Sequence, residues 1–154
     1  MPIIATLCYL RKDNKVLMQL KAQGKFGGGK YNAPGGKMQG KETPSECVVR
    51  ECDEETGLHV IDPTYHGTIN HYEKGQLSIV VHLFSARNFS GLLKQGEELP
   101  EGQLDLIDEE AIPYSQMWAD DPYWLPKLLA GETELEGHAY FTEGFKELLK
   151  FELR

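Results

Sequence analysis

The residues from Gly36 to Leu58 read GKMQGKETPSECVVRECDEETGL, and their pattern predicts a helix in the second half of the stretch. Thr43 to Glu46 form a capping box with proline at the first helical position, which satisfies free N–H groups and presets φ. Gly57 stands where a glycine takes the left-handed conformation that ends a helix. The sequence therefore predicts a helix that begins at Thr43 and ends at Gly57.

Three glutamates of this helix are expected to project into one small region. Glu51, Glu54 and Glu55 are related by i, i+3 and i+4 steps and lie near the negative end of the helix dipole, where acids are unfavourable. Bound divalent cations offset both penalties, because Mg²⁺ prefers carboxylate oxygens. The alternative is a solvated acidic face, and Arg50 partly supports it because an arginine there can pair with Glu46 and Glu54.

The whole stretch resembles the Nudix box, G-x5-E-x7-R-E-U-x-E-E-x-G-U, in which U is a bulky apolar residue. Every charged and glycine position matches, and Cys52 is a smaller occupant of its apolar slot. The resemblance implies a Nudix hydrolase that needs Mg²⁺, with Mn²⁺ as a substitute, and cleaves a diphosphate linkage. It also implies an α+β fold in which a mixed β-sheet is sandwiched between helices (α/β/α).

The resemblance also assigns roles within the stretch. The positions that hold metal ions in the family match Gly36, through its carbonyl, and Glu51, Glu54 and Glu55. Glu42 and Arg50 match positions that hold the loop and the helix together. A glutamate on a later loop commonly joins the site as a ligand or as the base; Glu98 is its expected counterpart, with Glu97 as a close rival. Which carboxylate acts as the base stays open.

A second segment, Ile112 to Pro126 (IPYSQMWADDPYWLP), resembles the base-binding region of the MutT-type oxidised purine nucleoside triphosphatases. In that group a tryptophan stacks on the base, two adjacent acids read its edge, and an asparagine contacts it from the opposite side. The matching residues here are Trp118, Asp120, Asp121 and Asn32. A structural alternative is that the two aspartates cap the following helix, which is compatible with recognition of the base. The implied reaction hydrolyses 8-oxo-dGTP to the monophosphate and pyrophosphate, which sanitises the nucleotide pool and supports DNA repair.

Further substrate contacts are expected around these segments. Lys21 and Lys37 are candidates to bind phosphates, and Phe26 lies in a glycine-rich loop, residues 24–30, typical of a mobile segment near a ligand. The sequence departs from the oxidised-purine group at Tyr31, at residues 33–34 and at His71, which stands where a pocket phenylalanine is expected. His71 is given no role beyond lining the pocket.

The rest of the chain predicts a mixed sheet in a single domain, residues 1–154. Apolar runs separated by turn residues predict strands at residues 3–10, 15–20, 58–61, 65–72, 77–86, 138–142 and 148–153. A second helix is predicted from residue 121 to residue 131, and residues 87–103 read as irregular.

Composition limits the partners of the protein. A net charge of −8 argues against long nucleic acid and anionic membranes, which need a basic face. Three cysteines without CxxC spacing suggest buried thiols in a reducing, cytoplasmic setting. We therefore expect a small-molecule nucleotide as the partner of a monomer or homodimer that does not enter a membrane.

Three other functions stay open at this point. The first alternative is a Nudix hydrolase that acts on another nucleoside diphosphate derivative, such as an ordinary dNTP, a dinucleoside polyphosphate or a nucleotide sugar. Alternatively, it is a non-catalytic nucleotide-binding Nudix module. The third alternative is an interaction protein with an unrelated acidic helix.

Overall fold

A computed structural model describes residues 1–95, 99 and 101–154. The helices are α1 (Pro44–Thr56) and α2 (Asp121–Leu129). The strands are β1 (Ile3–Lys12), β2 (Lys15–Lys21), β3 (Tyr31–Asn32), β4 (Gly35–Lys37), β5 (Leu58–Val60), β6 (Thr64–Glu73), β7 (Gln76–Ala86), β8 (Phe89–Gly91), β9 (Gly102–Asp108), β10 (Leu135–Phe141) and β11 (Leu148–Leu153).

The ends of α1 are fixed by the residues that predicted them. Thr43 Oγ1 accepts a hydrogen bond from Glu46 N, and Thr43 N donates to Glu46 Oε1 at 2.8 Å, which completes the capping box. Gly57 has φ of 80°, and its N–H donates to Asp53 O at 3.1 Å. The predicted helix is therefore confirmed.

One large sheet contains both parallel and antiparallel neighbours. Its order is β11-β10-β6-β7-β1-β2-β3, with β4 paired to β1 and β9 paired to β2. The pairs β1–β7 and β6–β10 are parallel, and the other pairs are antiparallel. β5 and β8 form a separate small ribbon. The predicted mixed sheet is confirmed.

Alternate residues of the central strands pack against different helices. Tyr9 and Met18 belong to a core that includes Trp124 and Leu128 of α2, whereas their neighbours in the strands join a second core with α1. The second core includes Cys8, Leu10, Leu17, Val48, Cys52 and Phe84. Because successive side chains of a strand point to opposite faces, α1 and α2 cover opposite faces of the sheet. This is the expected α/β/α arrangement.

The prediction of irregular structure over residues 87–103 is wrong in part. Residues 89–91 form β8, and the unpredicted strand β9 begins at Gly102 and pairs with the whole of β2. Its sequence, GQLDLID, carries polar residues at solvent-facing positions of an edge strand, so it lacks the apolar run by which other strands were found. The second helix also ends two residues earlier than predicted, at Leu129. Neither helix in the described ranges has the length and apolar character needed to cross a membrane.

Candidate active site

The short strand β4 places a glycine against the acidic side of α1. Gly36 pairs with Thr6 of β1, which fixes the position of the strand. A Cβ atom added at Gly36 would lie 2.6 Å from Cδ and Oε2 of Glu51. Only glycine therefore allows the Glu51 carboxylate to approach the backbone of β4 this closely.

Arg50 joins the loop before α1 to the acidic residues of the helix. Its guanidinium donates two hydrogen bonds to Glu42, at 2.7 and 3.0 Å, and one to Glu51 Oε1 at 2.7 Å. A longer contact of 3.2 Å reaches Glu54. This agrees with the expected role of Glu42 and Arg50. The suggested pairing of Arg50 with Glu46 is wrong, because Glu46 is used in the capping box.

Burial makes two of the carboxylates costly to ionise. The pKa of Glu55 is raised to about 7, chiefly by desolvation and further by the charge of Glu51, although the N–H of Gly35 donates to its Oε2 at 2.8 Å. Desolvation also raises the pKa of Glu51, against the opposing effect of Arg50. Glu54 is exposed. Carboxylates in such surroundings gain most from an added cation.

The donor set fits a hard divalent cation. All three carboxylates line one cavity with Gly36, and carboxylate and carbonyl oxygens are the ligands that such ions prefer. Within the described residues, no three acidic, histidine or cysteine side chains already converge on a single metal position. Two of the three carboxylates contact Arg50 instead, Glu51 at 2.7 Å and Glu54 at 3.2 Å. The metal roles of these residues stay predictions.

The same cavity extends to the residues expected to bind the base. It has a volume of about 870 Å³, within the range of small-molecule sites. The expected substrate residues that line it are Lys21, Phe26, Asn32, Lys37, Trp118 and Asp121. Predicted phosphate and base contacts are therefore brought into one space.

Trp118 stands in a cluster of aromatic rings at this end of the cavity. Its ring centroid lies 5.4 Å from that of Phe26 and 5.5 Å from that of Phe145. A Cβ at Gly27 would lie 3.4 Å from Trp118 Nε1, so the glycine-rich loop lies close to the indole. Such a cluster offers flat apolar surfaces on which a base can stack.

The adjacent aspartates have different surroundings. Asp120 is fully buried, and its Oδ2 accepts a hydrogen bond from Trp124 Nε1 at 2.9 Å and lies 3.1 Å from His71 Nε2. Asp121 lines the cavity, and its pKa is raised by burial and by the charge of Asp120. Asp120 holds the N-cap position of α2, but within the part of the chain that the structure describes its side chain makes no capping hydrogen bond. The side-chain cap suggested as an alternative role of Asp120 is thus not formed.

Comparison with known proteins decides the family. The NUDIX domain model matches residues 1–128 of the chain. The chain belongs to the Nudix family. Oxidized purine nucleoside triphosphate hydrolase from Danio rerio is 35% identical over 146 residues, which cover 91% of each chain. The protein of the same name from Mus musculus is 34% identical over 150 residues, covering 97% of this chain and 92% of its own.

Solved structures agree with this placement. A MutT protein from Bacillus halodurans superposes with a TM-score of 0.85 at 28% identity, covering 98% of this chain and 97% of its own. The protein is therefore a Nudix hydrolase with the Nudix fold, and its relatives include nucleoside triphosphate hydrolases. Nudix hydrolases generally use divalent metal ions.

Glu101 and Gln19 are among the cavity residues of this Nudix hydrolase that the sequence did not indicate. Glu101 lines the cavity and accepts a hydrogen bond from Lys21 at 3.1 Å, with Lys25 at 3.6 Å. Gln19, on β2 opposite Asn32, also lines it. Glu101 directly precedes β9, and the sequence predicts no strand there, so its position in the cavity could not be inferred. Glu98 and Glu97 lie outside the described residues, so the assignment of the later glutamate stays a prediction.

Proposed function

We propose that this Nudix hydrolase is a Mg²⁺-dependent nucleoside triphosphate diphosphatase that acts on oxidised purine nucleotides. Its preferred substrate is 8-oxo-dGTP, which it hydrolyses to the monophosphate and pyrophosphate. Mn²⁺ substitutes for Mg²⁺. The names of the relatives from Danio rerio and Mus musculus support the class of substrate.

One observation carries the proposal: a single cavity combines the carboxylates of α1 with an aromatic and acidic base site. Glu51, Glu54 and Glu55 line it beside Gly36, and Trp118 and Asp121 line it as well. A nucleotide has the same two parts, an anionic phosphate chain and a flat base with hydrogen-bonding edges. The arrangement therefore matches the whole substrate and not only its phosphates.

The residues of the chain divide the work between binding and chemistry. Glu51, Glu54 and Glu55, with the carbonyl of Gly36, would hold the divalent ions, which neutralise the phosphates and acidify water when bound. Lys21 and Lys37 place positive charge near the phosphates, and Lys21 is kept in position by Glu101. A carboxylate accepts the proton of the attacking water; Glu54, Glu55 and Glu98 are the candidates.

The base site fixes the orientation of the nucleotide. Trp118 and Phe26 offer stacking surfaces, and Asp121 presents a carboxyl group to the edge of the base. Asn32 accepts a hydrogen bond from Ala33 N at 3.0 Å through its side-chain oxygen, which orients its amide. A base bound in this way holds the phosphates against the carboxylates of α1, and correct placement contributes to the rate.

A substrate panel tests the proposal. The purified protein is incubated with Mg²⁺ and 8-oxo-dGTP, 2-oxo-dATP, dGTP, a diadenosine polyphosphate or a nucleotide sugar, and the products are identified by phosphorus NMR. We expect the highest kcat/KM with 8-oxo-dGTP and release of pyrophosphate. Glu54→Gln keeps the shape of the side chain and should fold normally without turnover. A preference for the diadenosine polyphosphate or the nucleotide sugar would overturn the proposed substrate. Full activity of Glu54→Gln would overturn the proposed metal-binding role of the α1 carboxylates.

A further inference from the structure

His71 occupies a position from which it acts on the acid pair of the base site. It lies on β6, lines the cavity and stacks on Phe141 with ring centroids 6.0 Å apart. Its Nε2 is 3.1 Å from Asp120 Oδ2. Both residues are buried, so solvent contributes little to the balance of protons between them.

The surroundings of the imidazole decide which atom carries its proton. His71 Nδ1 is buried and has no hydrogen-bond partner among the described residues. A buried N–H without a partner is rarer and more costly than a bare acceptor, so the proton belongs on Nε2. His71 therefore donates to Asp120.

A second donor reaches the same oxygen of Asp120. Trp124 Nε1 lies 2.9 Å from Oδ2, and an indole nitrogen donates only. Oδ2 therefore accepts two hydrogen bonds, and an oxygen that accepts from two N–H donors carries no proton itself. Asp120 is consequently the hydrogen-bond acceptor of the pair.

The surroundings of Asp121 favour the protonated carboxyl group, unlike those of Asp120. Burial and the neighbouring charge of Asp120 raise its pKa well above the ordinary value. Its Oδ2 is buried without a hydrogen-bond partner in the described ranges of the chain, and the residue lines the cavity. Among the residues that the structure describes, the other titratable groups that interact with the pair are the phenols of Tyr9 and Tyr114, and both have raised pKa values and stay neutral.

We propose that His71 is a positioning residue that sets base specificity: it fixes Asp120 as the acceptor and leaves Asp121 as the donor. A pair of acids without this restraint can exchange its proton and read either pattern of a purine edge. Here the donor faces the cavity, so the site selects purines with a carbonyl at position 6 over purines with an amino group there. The inference rests on the proposed function and adds the residue that determines its selectivity.

The first test compares turnover of 8-oxo-dGTP and 8-oxo-dATP by the wild type and by His71→Phe. The phenylalanine keeps an aromatic ring and removes the donor. We expect the ratio of kcat/KM values to favour 8-oxo-dGTP in the wild type and to fall by about tenfold in the variant, the scale of a hydrogen bond to a charged group. His71→Gln retains an N–H donor and should restore most of the ratio.

His138→Phe is a matched control on the other face of the same sheet. His138 is also largely buried, and its Nδ1 lies 2.9 Å from the hydroxyl of Tyr72, away from the cavity. Its replacement should leave the ratio unchanged. An equal ratio in the wild type and His71→Phe would overturn the inference, as would an equal loss in His138→Phe.

Nitrogen NMR of the His71 imidazole shows which ring nitrogen carries the proton, and the measurement needs no nucleotide. The His71 resonances, assigned by their loss in His71→Phe, should show a proton on Nε2 and none on Nδ1. The reverse tautomer would overturn the inference even if turnover behaved as expected. If the wild type hydrolysed neither nucleotide, the proposed function would fail, and the affinities of the two monophosphates for the wild type and His71→Phe would then decide the inference.

Discussion

Gly36→Ala should separate catalysis from stability. The added Cβ would lie 2.6 Å from Cδ and Oε2 of Glu51 and 2.9 Å from its Oε1. To restore ordinary contact, the carboxylate must move by roughly 1 Å. The backbone of β4 need not move, because the atoms in conflict belong to a side chain.

A displacement of this size has a calculable effect on turnover. Misplacement of a catalytic group by 1 Å costs about a hundredfold in rate, so kcat for 8-oxo-dGTP with Mg²⁺ should fall by about that factor. The free energy of unfolding without metal should change by less than ~1 kcal/mol, since alanine restricts the unfolded chain in partial compensation. Pyrophosphate release and chemical denaturation measure the two quantities.

Two other glycines provide the comparison. Gly40 has φ of 54° and no atom within 4 Å of an added Cβ, so Gly40→Ala should cost about 1 kcal/mol of stability and leave kcat unchanged. At Gly35 the added atom would lie 1.9 Å from the backbone oxygen of Thr6, so Gly35→Ala should prevent β4 from pairing and destabilise the fold. Gly36→Ala that kept more than about a tenth of wild-type kcat would refute the reasoning.

Three further predictions concern the base site and the core. The folded protein holds a proton on Asp121 that the unfolded chain releases above about pH 4. The free energy of unfolding of the wild type should therefore fall relative to that of Asp121→Asn as pH rises from there towards the raised pKa. Denaturation at a series of pH values checks this, and an identical pH dependence of stability in the two proteins would contradict it. Asn32→Ala should alter the ratio of kcat/KM between purine substrates more than it alters kcat, and equal losses on every substrate would show that the residue does not read the base. The three cysteines are buried, and burial raises the pKa of Cys47 to about 11. The thiols of the native protein should therefore react slowly with a disulfide reagent, and those of the unfolded protein rapidly. Fast reaction of the native protein would contradict the buried placement of the cysteines.

The sequence predicted best where local chemistry alone determines the structure. The capping box at Thr43 and the glycine at position 57 fix α1 through bonds within a few residues, and both are formed. The turn residues between the predicted strands 3–10 and 15–20 form the turn between β1 and β2, where Asp13 and Asn14 take positive φ angles. Glu51, Glu54 and Glu55 line one cavity, as the spacing along α1 predicts, and their binding of metal stays a prediction.

Long-range pairing was beyond local reasoning. β9 is a strand because it lies beside β2, and its acidic pattern does not indicate this. The bond between His71 and Asp120 joins residues 49 positions apart, and the sequence analysis gave His71 no role beyond lining the pocket. The position of Glu101 in the cavity likewise depends on the pairing of β2 and β9.

Isothermal titration calorimetry with Mg²⁺ and Mn²⁺, with and without a nucleotide, tests most directly whether the carboxylates of α1 form a metal site. We expect the wild type to take up divalent ions with higher affinity when nucleotide is present, and Glu54→Gln to bind them more weakly at unchanged fold. No uptake of either ion by the folded wild type, alone or with 8-oxo-dGTP, would contradict the account.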